Sequence, residues 1–320
     1  AEELLLASIK YGPGSVPSDW PDPESPSRYI AEFSPASFVL ALDEILIKSG
    51  VDIWLDSLIC GCRVDLDCLT GIEVENMSGR GLFTARCFID ATGDAVVAYK
   101  AGAECAETDN WMSIWAIELS LDSAKRAAEE FDGGYLLNSF RTGGDNAGND
   151  SPQELGKYYG TDARQVTNFV LEGRKLLLDH YKLVQAKKSR QNIYPVTLPT
   201  MAQFRTTRRI VGKSTLTTGD ENKHFDTSIG VIAEWRKPGI WEIPYGTLVP
   251  KDIKCLLAAG RCISSEADAW EATRVIPPAA FTGQVTGIAA ELAVKYHTTP
   301  DNLDISDVQD AVKAKGIILH

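Results

Sequence analysis

At 320 residues the chain has room for two ordinary domains, or for one large α/β domain carrying an insertion. Its 44% hydrophobic and 24% charged residues, with Gly 26 and Pro 15 spread along it, exclude global disorder, collagen and coiled coil. The 32 Lys and Arg against 44 Asp and Glu leave a net charge of −12, which repels phosphate backbones and anionic membrane surfaces, so no nucleic-acid partner is expected.

Residues 1–27 read as an irregular lead-in. Pro13, Pro17, Pro21, Pro23 and Pro26 fall between Gly12 and Ser27 and exclude a helix interior or a central strand there. The opening Ala1-Glu-Glu lacks a basic segment before an apolar one, so no secretion signal is expected. Ser34-Pro-Ala-Ser then begins an amphipathic helix, with Phe38, Leu42, Ile45 and Leu46 at helical spacing, Pro35 in the first turn and Gly50 at the stop. Short β-rich runs follow at 51–55, 58–66, 71–76 and 81–91, which predicts a strand and then a three-stranded meander. The last run closes on Cys87-Phe-Ile-Asp-Ala-Thr-Gly-Asp94 before a helix over 95–102. A strand that ends on Thr-Gly and turns into a helix is where an α/β sheet offers its carboxyl edge to a ligand.

From 108 to 250 the composition loosens. Residues 143–150 read as a surface loop, 162–190 as a long helix, 208–217 as a strand, and 241–250 as a strand pair broken by prolines. This stretch is expected to be an inserted α+β substrate or cap domain. Lys254-Cys-Leu-Leu-Ala-Ala-Gly-Arg261 then repeats the earlier device, an apolar strand stopping at glycine, and leads through Pro277-Pro278 to a helix over 279–296. The tail 298–320 holds one more short helix. No stretch approaches the ~18–20 apolar residues of a membrane helix, so none is expected to span a bilayer.

Either glycine edge alone is more readily read as an ordinary strand end, since glycine is the commonest way of ending one. Together with their neighbours, however, the residues resemble the FAD-dependent oxidoreductases with a two-dinucleotide-binding-domain core. The resemblance covers roughly residues 30–320. It is carried by Phe88-Ile-Asp-Ala-Thr-Gly-Asp94, Thr206-Thr-Arg-Arg-Ile-Val-Gly212, Ile243-Pro-Tyr-Gly-Thr-Leu-Val-Pro250, Leu257-Ala-Ala-Gly-Arg-Cys-Ile-Ser264, Thr273-Arg-Val-Ile-Pro277 and Thr282-Gly-Gln-Val-Thr-Gly-Ile-Ala-Ala290. It implies an α/β fold: a Rossmann-like FAD-binding domain made from 28–107 and 251–297, with 108–250 inserted.

The resemblance further implies FAD as cofactor, hydride transfer at flavin N5 and a small-molecule substrate. Ala91, Thr92, Gly93 and Asp94 would line its adenosine and pyrophosphate side. Gly260 and Arg261 would meet the ribityl and pyrophosphate, the arginine adding positive charge. Pro277, Gly283 and Gln284 would lie near the isoalloxazine, the last two where a helix begins and its positive end favours charge on reduced flavin. All of this requires Thr92-Gly93 and Gly260-Arg261 to end neighbouring parallel strands.

Two departures accompany the resemblance. The Gly-x-Gly-x-x-Gly turn that cradles the pyrophosphate is absent, since Gly12-Pro-Gly14 runs into prolines. In the family that turn precedes the point where this chain starts, so the chain is expected to be an incomplete, N-terminally truncated form lacking the first βαβ unit. Ala267 stands where many members carry histidine. A second reading from another class is therefore a non-catalytic remnant or subunit that binds a partner protein.

Arg205, Arg208 and Arg274 are candidates for an acidic substrate, because a guanidinium grips a carboxylate bidentately. Arg209 reads equally well as solvent-facing. His180, His224, His297 and His320 are scattered without ligand spacing, so no metal site is expected. The seven cysteines are odd in number and form no CxxC pair, which reads as reduced thiols in a cytoplasmic protein. Self-association as a homo-oligomer is left open. No Gly-x-Ser-x-Gly, His-Glu-x-x-His or P-loop occurs, so hydrolase and NTPase chemistry have no support.

Overall fold

The computed structural model describes residues 2–14, 22, 24–25, 31, 33–145, 147–152 and 154–320. The chain passes back and forth between two units, one made of 1–53 and 108–207, the other of 54–107 and 208–320.

In the first unit, helix α1 spans Glu2–Ile9 and α2 spans Pro35–Lys48. The lead-in is thus not irregular throughout, since the Leu- and Glu-rich opening forms a helix before the first proline. The prolines at 17, 21, 23 and 26 lie outside the described residues. Helix α2 starts as expected. The Ser34 hydroxyl accepts from the Ser37 N–H and Pro35 occupies the first turn, where its missing N–H costs nothing.

The chain then enters the second unit. Strands β1 (Leu58–Asp65), β2 (Cys68–Asn76) and β3 (Gly79–Thr84) form the antiparallel meander, and β4 (Phe88–Asp90) is followed by α3 (Val96–Lys100) and β5 (Cys105–Glu107). Residues 51–55, expected as a strand, have no strand partner and are irregular.

Back in the first unit come β6 (Asp109–Trp111), β7 (Ser113–Ser120), α4 (Leu121–Glu130), β8 (Asn138–Gly143), β9 (Lys157–Tyr159), α5 (Ala163–Lys188) and β10 (Ile193–Thr197). Strands order as β10-β7-β8, and α5 packs Leu177 and Tyr181 against Ile114 and Ala116 of β7. The Tyr181 hydroxyl donates to Glu118 at 3.0 Å within this core.

The rest lies in the second unit: β11 (Arg208–Ile210), β12 (Ser228–Ala233), β13 (Ile240–Pro244), β14 (Leu256–Ala258), α6 (Ala267–Thr273), α7 (Ile276–Lys295) and α8 (Ile305–Lys313). Residues 208–250, assigned by sequence to the inserted segment, pack here, because β11 pairs with β5 and Trp241, Ile243 and Leu248 share one core with Leu257, Val285 and Val308. The expected strand over 208–217 stops at Ile210, and the pair expected over 241–250 is one strand followed by a tight turn at Tyr245–Thr247. The fold is mixed α/β with several small sheets.

Candidate cofactor site

Strands β4 and β14 lie side by side and parallel, with Leu256 opposite Phe88, Leu257 opposite Ile89 and Ala258 opposite Asp90. One more backbone bond, from Ala259 N–H to Asp90 O at 2.9 Å, continues the ladder. The segments 91–94 and 260–261 therefore leave the carboxyl ends of adjacent parallel strands, the edge at which open α/β sheets receive ligands.

Asp90 builds the first turn. It is fully buried, and its carboxylate accepts from Thr92 N–H at 3.1 Å, Thr92 Oγ1 at 2.6 Å and Ala98 N–H at 2.9 Å. The Thr92 hydroxyl in turn accepts from Val96 N–H at 3.0 Å. An Asp two residues before Thr thus folds the strand end directly into α3. Nothing in the sequence marked Asp90 beyond its place in the motif.

The second edge closes on the first. Arg261 Nε donates to Gly93 O at 2.8 Å, and the same guanidinium is ion-paired with Asp94. Gly93 takes φ +79°, and a Cβ there would sit 3.1 Å from the Arg261 Cζ. Glycine is thus needed both for the backbone conformation and for the approach of the arginine. Gly260, at φ +74°, donates its N–H to Thr282 Oγ1 at 2.9 Å, which ties the second edge to α7. Trp270 Nε1 donates to Arg261 O at 2.6 Å from α6.

Helix α7 begins three residues earlier than expected, at Ile276, with Pro277 and Pro278 inside its first turn. Gly283 and Gln284 therefore do not begin the helix. They lie two turns in, and the N-terminal donors belong to 276–279, two of which are prolines without N–H. A Cβ at Gly283 would meet nothing within 4 Å, and Gln284 and Pro277 are exposed. Ala267, with φ +49°, opens α6 on the surface.

These features fit a dinucleotide in three respects. Ala91 and Thr92 are exposed at the strand ends, the glycines let backbone approach closely, and Arg261 places a positive charge between the two edges. No Gly-x-Gly-x-x-Gly cradle exists in the chain. An open cleft of about 530 Å³, lined among others by Cys68, Arg86, Cys255 and His297, lies at the amino ends of the same strands, the wrong end for that role.

Each substrate candidate has partners within its own unit. Arg205, in the first unit, donates to Gly144 O at 3.3 Å and Ser113 Oγ at 3.2 Å. Arg208 pairs with Glu107 at 2.9 Å and its guanidinium lies 3.7 Å from the Tyr99 ring centre. Arg274 closes α6 and pairs with Glu271 in its last turn. Arg209 does not face solvent. It is buried, pairing with Glu266 at 2.9 Å and donating to Ile210 O at 3.2 Å.

The reduced-thiol expectation is corrected at two positions. Cys68 and Cys255 form a disulfide, with Cα atoms 5.5 Å apart across 187 residues of sequence. Leu69 N–H donates to Lys254 O at 3.1 Å, and this bridge brings together two cysteines that no sequence spacing could pair. Burial pushes the Cys262 thiol up to about 12 and those of Cys62, Cys87 and Cys105 up to about 11, so none of these is a poised nucleophile. Among the described residues no helix is long and apolar enough to cross a membrane.

A family model described as FAD dependent oxidoreductase matches residues 5–114 and 115–312. No curated protein and no solved structure matches the chain.

Proposed function

The chain belongs to the FAD dependent oxidoreductase family, and from that premise we propose that it holds FAD at the carboxyl edge of β4 and β14 and acts on a small organic molecule. When bound, FAD supplies two-electron hydride exchange at N5. The chain's own residues do the rest. Gly93 and Gly260 bring backbone close to the cofactor, and Arg261 offers its guanidinium to the pyrophosphate, exchanging its Asp94 partner for phosphate oxygens. Gly283 leaves an uncovered stretch of α7 for the ring system, with Pro277 and Gln284 beside it. Arg205, Arg208 and Arg274 are the candidate contacts for an acidic substrate, a guanidinium gripping a carboxylate bidentately. The observation that carries this reading is the parallel pairing of β4 with β14, which sets the two glycine-ended turns side by side.

A second reading is a subunit that completes its phosphate site with a partner protein. It is favoured by the Asp94 ion pair, which already occupies Arg261. Titration of the purified chain with FAD, read by flavin fluorescence and the visible band, tests both. Saturable quenching at micromolar FAD supports the first. No quenching at tens of micromolar FAD overturns it in favour of the second.

A further inference from the structure

Three side chains distant in sequence, His224, Glu242 and His320, meet beside the β12–β13 pair of the second unit. Glu242 lies on β13, whose burial turns its side chain inward to 6% exposure, and its Oε2 accepts from Phe225 N–H at 2.7 Å. His224 Nδ1 faces Glu242 Oε1 at 3.4 Å, and His320 Nδ1 faces Oε2 at 3.2 Å. The imidazole centroids are 4.4 Å apart.

We propose that His224, Glu242 and His320 form a site for a divalent transition-metal ion of the zinc class. One ligand atom from each lies within 4.8 Å of the others. A tetrahedral ion with bonds of ~2.0–2.1 Å needs ligand atoms roughly 3.4 Å apart, and each imidazole has that span to its own oxygen of Glu242, His224 Nδ1 to Oε1 at 3.4 Å and His320 Nδ1 to Oε2 at 3.2 Å, so a small side-chain adjustment brings both onto one ion. Two imidazoles and one carboxylate are the donor set of a three-ligand zinc site with one open position.

The surroundings are those of a built site. The Phe225 N–H fixes the carboxylate, and Asp226 Oδ1 lies 3.3 Å from His224 Nε2, the ring nitrogen turned away from Glu242. A carboxylate on the second nitrogen orients a ligating imidazole and raises its basicity. His320 is held by its backbone neighbours: Val231 N–H donates to Ile318 O at 3.2 Å, and Ser228 Oγ donates to Leu319 O at 2.6 Å. Leu319 is buried in the core, so the segment carrying His320 is docked along β12. Both histidines remain open to solvent, at 60% and 45% exposure, which gives an ion its entry path. A bound ion would clamp 318–320 onto the β12–β13 pair.

The test is titration of the full, chelator-treated chain with CoCl2, followed by competition with ZnCl2. Visible d–d absorption saturating at one equivalent, bleached by Zn2+ and lacking the near-ultraviolet thiolate charge-transfer band, is the expected result. His224→Gln and His320→Gln, both surface changes, should each weaken Co2+ binding at least tenfold, as should Glu242→Gln. The proposal is overturned by an absence of d–d absorption short of millimolar Co2+, by a thiolate band pointing to cysteine ligands, or by unchanged affinity in both histidine variants. Each of these readouts is independent of FAD.

Discussion

Arg261 Nε reaches across to the carbonyl of Gly93 at 2.8 Å, joining the ends of two strands 168 residues apart in the chain. The contact is made by a residue that also brings a positive charge to the strand edge. The arginine therefore holds the two turns together, and in the proposed reading it would exchange Asp94 for phosphate oxygens when FAD binds. Replacing Arg261 by Met should weaken FAD binding by about 1.5–3 kcal/mol, the range for a hydrogen bond to a charged group. Asp94→Asn should act in the opposite direction, tightening FAD binding by releasing the guanidinium. Equal weakening by both variants in fluorescence titrations would show that Arg261 serves only the fold.

Gly283 separates cofactor contact from folding. An interior helix glycine costs roughly 0.5–1 kcal/mol relative to alanine, and its Cβ position is empty. Gly283→Ala should therefore raise the melting temperature slightly. Gly283→Phe should leave the circular dichroism spectrum intact while abolishing flavin quenching, because the larger side chain fills the space assigned to the ring.

The thiol inventory follows from the single disulfide. In denaturant before reduction, five free thiols should react with Ellman's reagent, and seven after reduction. In the native state Cys262 should be the slowest, being fully buried with its pKa pushed up to about 12 by burial and by the nearby Asp90 charge. Closing a loop of 187 residues stabilises the chain by roughly 5 kcal/mol in the chain-entropy account, so reduction should lower the melting temperature markedly.

Acid stability should depend on Glu234, a buried carboxylate gripped bidentately by Arg236 at 2.8 and 2.7 Å and by Trp241 Nε1 at 3.1 Å. Burial pushes its pKa up, but the guanidinium and the N–H donors outweigh burial and hold it below the usual carboxylate range. A folded-state pKa below the unfolded value means the contribution is complete above about pH 4.3 and is lost as pH falls through the folded value. Glu234→Gln should be less stable at neutral pH, and the gap to wild type in urea melts should narrow on acidification. Glu234→Ala, which leaves Arg236 only its Asp268 contacts and takes the acceptor from Trp241 Nε1, should cost about 1–3 kcal/mol.

Local signals were legible in the sequence where one residue type acts on its own neighbours. Ser34-Pro35 starts α2, the Gly- and Asp-containing turns separate the meander strands, and Gly93 and Gly260 end two strands, because capping, turn formation and left-handed backbone are decided within a few residues. Helix α7 starts three residues before the position its sequence suggests, because prolines are tolerated at a helix start as readily as they are excluded from its interior. Strand bounds over 208–250 were overestimated for a related reason. Alternation measures a pattern of burial, whereas a strand exists only where a partner supplies hydrogen bonds.

What only the tertiary structure decided is every relationship between residues far apart in the chain: the parallel register of β4 on β14, the Cys68–Cys255 bridge, the burial of Arg209 and the meeting of His224 with His320 at Glu242. Contact at such separation depends on how whole elements pack, and a one-dimensional spacing rule carries no information about which distant side chains that packing will bring together.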